Sequence, residues 1–305
     1  MRNLIPIIAL IVFLTFVVGV IIYLSKRFSW YFGISLINRL YVLFALGSVF
    51  MIGGLMAFTN SVSPSGRIIY MMASISMGFT LYLIMTVILV DLVHFLVKVK
   101  PVYYGMTALM LALIIAVAGI WHSYNLKTTS IEIPIKGITK EVRALHISDI
   151  HLGHFRGKRF IQKIVDATNR LDIDVVFLTG DLYDGKINLN KEVIAPFGHL
   201  EVPIYFVEGN HDGYSGSRRI KRGLVETGVI VLENEVTDWG EFQIIGLDHM
   251  PADSQSVDMH AGRQHATMQS ILPGLDIDKE KPSILLHHYP VGIKYASEQG
   301  IDLLL

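Results

Sequence analysis

Four uninterrupted apolar segments in the first 121 residues constrain this chain more than any other feature: LIPIIALIVFLTFVVGVIIYL at about 4–24, LYVLFALGSVFMIGGLMAF at 40–58, IIYMMASISMGFTLYLIMTVILV at 68–90 and VYYGMTALMLALIIAVAGIW at 102–121. Each has the roughly twenty residues needed to cross a ~30 Å hydrocarbon core as a helix. A single such run also fits a buried core helix, but four in succession without an internal charge predict a membrane bundle. The first is too long for a signal peptide, and LSKRFSW follows where small residues would be needed for cleavage. The chain is 52% hydrophobic, too apolar for one soluble domain of 305 residues.

Charge divides the chain near Trp121. Residues 1–121 hold seven bases and one acid, Asp91, whereas 122–305 hold nineteen bases and twenty-five acids, a net of −6, with eleven of the twelve histidines. The acidic second half offers no basic face for nucleic acid. Without cysteine there is no disulfide scaffold, zinc finger or thiol nucleophile.

Four crossings leave the amino terminus and the second half on one side. Lys26, Arg27, Arg39, Lys98 and Lys100 share the opposite face, against Arg2, Arg67 and Lys127 on the first, so the positive-inside bias predicts an extracytoplasmic second half. Asp91 and His94, one helical turn apart at the end of the third segment, read as a hydrated helix end. Glycine and serine in GSVFMIGG and MMASISMG read as close-packing positions.

From a linker and first strand over 122–139 onward, the second half alternates short β-branched or apolar runs with helix-like stretches. SIEIPI, VRALHIS, DVVFLT, PIYFVE, GVIVLE, FQIIGL, SILLHH and IDLLL read as strands, and KRFIQKIVDATNR, SRRIKRGLVET and PVGIKYASEQG as helices. The pattern predicts an α/β fold with sites at the carboxyl ends of strands. The stretch 250–275 reads as a loop leading into a helix, with His260 and His265 solvated.

Polar residues of metal-ligand type close one strand after another: Asp149-Ile-His151, Gly180-Asp181-Leu182-Tyr183-Asp184, Gly209-Asn210-His211-Asp212 and His287-His288-Tyr289-Pro290. Any one could be a turn, but four in order point to a site. Oxygen and imidazole donors without thiolates suit Mn, Fe or Zn. A carboxylate can bridge two such ions, and a pair about 3.5–4 Å apart suits displacement at phosphorus and lowers the pKa of a shared water. His146 reads as a packed or supporting residue, Asp248-His249 as either a turn or a support, and His154 with Arg156 as a loop or a phosphate contact. Arg218, Arg219, Lys221 and Arg222 read as a solvated helix face, with attraction of an anionic substrate or lipid headgroups as the alternative.

DIH, GDLYD, GNHD and HHYP, in this order, resemble the calcineurin-like metallophosphoesterase superfamily, and the apolar helices make the whole similar to its membrane-anchored bacterial branch. The resemblance covers roughly residues 140–305. It implies a β-sandwich flanked by helices, in α/β/β/α layers, and two divalent ions. Asp149 and His151 would hold one ion, Asn210 and His288 the other, and Asp181 would bridge them. A bridging hydroxide would attack phosphorus while His211, oriented by Asp184, donates a proton to the leaving oxygen. The substrate would be a phosphomonoester or phosphodiester at the membrane surface, envelope-derived or lipid-linked, and membrane lipids would be the other partners. The family's last motif, a Gly-His-x-His turn after another strand, has no counterpart through Leu305, which predicts a catalytic region incomplete at its carboxyl end. The competing reading is a non-catalytic membrane protein with a degenerate metal-binding outer domain.

Overall fold

The computed structural model describes residues 4–185, 187, 191–256 and 266–305. The chain divides into two compact units, 1–128 and 129–305.

The first unit contains α1 (Leu4–Phe32), α2 (Ile37–Phe58), α3 (Pro64–Leu96) and α4 (Pro101–Tyr124), all long and apolar enough to cross a membrane. Prolines at the first position open α3 and α4, and the Ser63 hydroxyl caps α3 by accepting the Gly66 N–H at 3.1 Å. The outward faces are apolar, with Leu46, Val49 and Met56 more than 60% exposed, as a lipid-facing surface requires. The interior is sealed by close-packed small residues and aromatics: Ala73, Ala108 and Ala112 are fully buried, and a Cβ at Gly54 would lie 2.7 Å from that of Ala73.

Asp91 is not a hydrated helix end. Its side chain is only 14% exposed and accepts from Tyr23 Oη at 2.6 Å, Tyr31 Oη at 3.1 Å and Arg27 Nε at 2.7 Å. The physical reason is length: α1 continues to Phe32, carrying Lys26 and Arg27 on the helix rather than in a connection, and brings Arg27 against α3. An apolar environment leaves such a carboxylate no other partner. Asp91→Ala strands three donors, and we expect thermal unfolding in micelles to show a loss of about 2–3 kcal/mol.

The second unit has two four-stranded sheets. In the first, β1 (Ala144–Ile147), β2 (Val175–Thr179), β3 (Ile204–Val207) and β4 (Ile230–Val231) lie in sequential order, all parallel. Between them run α5 (Lys158–Thr168), α6 (Lys191–Ile194) and α7 (Asn210–Glu226). In the second sheet, β5 (Glu235–Trp239) pairs antiparallel with β6 (Phe242–Gly246), which is followed in parallel by β7 (Ser283–Leu286) and β8 (Leu303–Leu304). The short α8 (Met268–Ile271) and α9 (Ile293–Glu298) complete the unit.

Strand alternation builds the layers. Val175, Phe177, Tyr205 and Val207 meet Phe242, Ile244, Ile284 and Leu286 between the sheets. Their neighbours Val176, Leu178, Ile204 and Phe206 pack outward under Ile161, Ile164 and Val165 of α5 and Ile220 and Leu224 of α7. On the other outer face Ile245 and Leu285 pack against Met268 of α8 and Ala296 of α9. The result is the expected α/β/β/α sandwich.

Two details differ from the sequence reading, and one reading falls outside the described residues. Residues 130–135 form no strand; Ile135, with Ile138 and Val142, instead caps the core between the sheets. β5 was not foreseen, because EVTDW lacks a clean apolar alternation. His260 and His265 lie outside the described residues.

Candidate metal centre

The four motifs converge where β1, β2, β3 and β7 end. The loops after β1 and β2 continue to pair: Asp149 N–H donates to Gly180 O at 3.2 Å, His151 N–H to Asp181 O at 2.9 Å and Leu152 N–H to Leu182 O at 2.8 Å. Asp149, His151 and Asp181 all have positive φ, between 49° and 56°. Three non-glycine residues in the left-handed region within two adjoining loops mark backbone held in an uncommon shape by its surroundings.

Among the described residues two donor groups result, each with its ligand-type atoms within 4.8 Å of one another: His151, Asp181 and His211 form one, and Asp149, Asp181 and His288 the other. Asp181, with a side chain only 5% exposed, belongs to both. Its Oδ2 lies 3.6 Å from His151 Nε2, and its Oδ1 lies 3.4 Å from His288 Nε2 and accepts the His211 backbone N–H at 2.9 Å. His151 Nε2 is also 3.4 Å from Asp149 Oδ1. His211 Nδ1 is 3.3 Å from Asp184 Oδ1, and its ring stands edge-on to that of His151. Asn210 is half-buried at the start of α7, beside these groups in the chain.

The chemistry of this donor set fits divalent cations. His288 donates Nδ1–H to Thr179 O at 2.8 Å, which turns its Nε2 toward Asp181. A histidine oriented by a carbonyl in this way is the usual arrangement of a metal ligand. Burial opposes the charge of His288, but its bonds to Asp181 and Thr179 prevail and raise its pKa to about 8. Burial also pushes Asp181 up, while His288 and the His211 amide more than offset it and hold the carboxyl below its usual range. Among the described residues no lysine or arginine side chain pairs with Asp149 or Asp181; besides imidazoles, Asp149 accepts from the Ser148 hydroxyl and Asp181 from the His211 amide.

The remaining sequence candidates support the site from outside. Arg156 Nη1 donates to the carbonyls of Asp149 and Ile150, at 3.3 and 2.8 Å, while its guanidinium covers the Phe160 ring. His146 Nε2 lies 2.7 Å from Thr179 Oγ1, and burial lowers its pKa. His287 is buried; burial and the neighbouring rings lower its pKa to about 4, leaving it neutral, with Nδ1–H donated to Tyr289 O. His249 stacks on His287 and meets His288 edge-on.

Sequence reasoning missed the structural weight of Asp212. It is 1% exposed and accepts N–H bonds from Leu182 at 3.3 Å, Tyr183 at 3.0 Å and Gly209 at 3.1 Å, tying the loop of Asp181 to the loop of Asn210. Burial drives its pKa to about 6 against the pull of the three amides. The available signal was an acid three residues after the glycine that precedes α7, a position that reaches back to the free N–H groups of a helix start.

With this geometry established, residues 142–304, more than half of the chain, match the family described as Calcineurin-like phosphoesterase. The chain belongs to that family. Over 221 residues it is 28% identical to "Transmembrane protein with metallophosphoesterase domain" of Danio rerio, covering 65% of this chain and 47% of that protein. Over 176 residues it is 30% identical to an "Uncharacterized metallophosphoesterase" of Helicobacter pylori strain J99, covering 55% of this chain and 44% of that one. The chain thus spans about half the length of these relatives.

Proposed function

We propose that this protein is a membrane-anchored, metal-dependent phosphoester hydrolase acting on a phosphomono- or phosphodiester near a bilayer, with an envelope-derived or lipid-linked substrate. The observation that carries this reading is Asp181, whose Oδ2 faces His151 and whose Oδ1 faces His288, the arrangement of a carboxylate shared between two ions. Asp149, His151, Asp181, Asn210 and His288 would hold two ions of the Mn, Fe or Zn class. When bound, the ions supply Lewis-acid polarisation of the phosphoryl oxygens and a water of lowered pKa.

The chain's own residues supply the proton. Asp184, 3.3 Å from His211 Nδ1, orients the imidazole and leaves Nε2 free to face the leaving oxygen. The left-handed loops and the buried Asp212 hold these groups in register. We place the second unit outside the cytoplasm of a bacterial cell because four crossings would gather Lys26, Arg27, Arg39, Lys98 and Lys100 on one, cytoplasmic, face of the membrane. A single Thr128→Cys in this cysteine-free chain tests that placement: labelling of intact cells by an impermeant maleimide is expected, and protection would reverse the topology.

The decisive test loads the full chain with Mn²⁺ and measures bound ions and hydrolysis of aryl phosphate esters. His211→Ala is expected to retain its ions and lose about 10²–10⁴-fold in turnover on alkyl esters, but far less on nitrophenyl esters, whose leaving group needs little protonation. Equal losses on both, or loss of an ion, would remove His211 from the role of proton donor. One ion or none, without turnover on any ester, would favour the non-catalytic reading with a degenerate metal site.

A further inference from the structure

We propose that Lys221 is a positioning residue for this centre, an internal cation that locks together the strand ends behind the two halves of the ligand set. The inference rests on the functional reading above and adds a residue to it. Lys221 is on α7, among bases that the sequence presents as one solvated face. Arg218, Arg219 and Arg222 are exposed, with no ion pair to them among the described residues, but the Lys221 side chain is only 12% exposed. Its Nζ contacts Glu208 Oε2 at 2.8 Å, Glu233 Oε1 at 2.6 Å and Asp248 Oδ1 at 2.8 Å.

The three carboxylates come from places that matter to the site. Glu208 follows β3 and is two residues before Asn210 and three before His211. Its side chain is 13% exposed and also accepts from the Ser217 hydroxyl. Asp248 follows β6 in the other sheet and precedes His249, the ring that packs edge-on to His288 at 6.1 Å and stacks on His287 at 6.2 Å. Asn234 completes the clamp, donating Nδ2–H to Asp248 at 3.1 Å and accepting the Asp248 N–H at 3.1 Å. One ammonium therefore joins β3 of the first sheet to β6 of the second, beside the loop of Asn210 and His211 on one side and the wall behind His288 on the other. Without it, partly buried acids from both sheets would face one another uncompensated, and their repulsion would open the sandwich at the end where the ligands must converge.

Calorimetric titration of Mn²⁺ into the full chain in micelles, with the Mn²⁺ electron paramagnetic resonance spectrum, tests the proposal. Lys221→Met is expected to weaken Mn²⁺ binding about 10–100-fold, as loss of groups that orient metal ligands does, and to broaden the bound spectrum. Lys221→Arg, which keeps the charge, should recover affinity to within a few-fold of wild type. Leu224→Ala, which removes buried apolar contact on the same helix, should lower the melting temperature without changing affinity, separating positioning from bulk stability. If Lys221→Met fails to fold, Asp248→Asn provides the reading: it keeps two of the three carboxylates and should still weaken binding. Wild-type affinity in either folded variant, or no recovery with arginine, overturns the proposal. A wild-type chain that takes up no Mn²⁺ overturns the proposed function, and this inference with it.

Discussion

Asp181→Asn is expected to abolish cation binding at both donor groups at once, reducing the ion content of the Mn²⁺-loaded chain from two to none and hydrolysis by about 10³-fold or more. The argument is geometric. One carboxylate presents Oδ2 toward His151 and Oδ1 toward His288, and no other described residue belongs to both groups. Asparagine preserves the shape but removes the negative charge and turns an N–H₂ toward a position that needs a lone pair. Asp149→Asn makes the contrast, because Asp149 belongs to one group only and its variant should keep one ion. Elemental analysis after gel filtration reads both results. Two ions retained by Asp181→Asn would refute a shared ligand, and loss of both ions from Asp149→Asn would show that the groups are not separable.

Gly209→Ala is expected to cost about 2–3 kcal/mol of stability and at least about 100-fold in kcat/KM, although the substitution adds one methyl group and touches no ionisable atom. A Cβ at Gly209 would land on the backbone nitrogen and Oδ1 of Asp181. From the opposite side, a Cβ at Gly180 would lie 2.6 Å from Gly209 Cα and 2.9 Å from His288 Nδ1, and Gly180 also has φ of +78°. The two glycines let the loops after β2 and β3 approach until Asp181 can accept the His211 N–H. A methyl between them moves ligands by a good fraction of an ångström, enough to spoil a centre whose donors must converge on one point. Thermal unfolding, bound Mn²⁺ and steady-state kinetics check the prediction; a Gly209→Ala chain with wild-type turnover would show that the approach is not required.

Much of the site was legible because strand ends are marked in sequence. An apolar β-branched run stopping at Asp149, Gly180, Gly209 or His287 places the next residues at the mouth of a sheet, whichever sheet that is. The supporting residues were not legible in the same way. Lys221 shares its helix with Arg218, Arg219 and Arg222, and nothing in SRRIKRGLVET distinguishes the base turned toward three acids from those turned to water. Asp91 read as a wet helix end because its partners, Tyr23, Arg27 and Tyr31, lie sixty or more residues away. SIEIPI has the alternation of a strand but lacks a neighbour to pair with, and a strand exists only as one member of a pair.

The order of amino acids alone determined that one part of this chain is apolar enough to span a membrane, that the other is a layered α/β unit, and which side chains close its strands. Those properties depend on hydrophobic period and run length, which are local. Tertiary structure decided that Asp181 stands between two donor groups, that Asp212 joins two loops from within, and that a lysine stitches the sheets behind them. Each of these depends on groups distant in sequence meeting at bonding distance, and only the packing of one layer on another sets that distance.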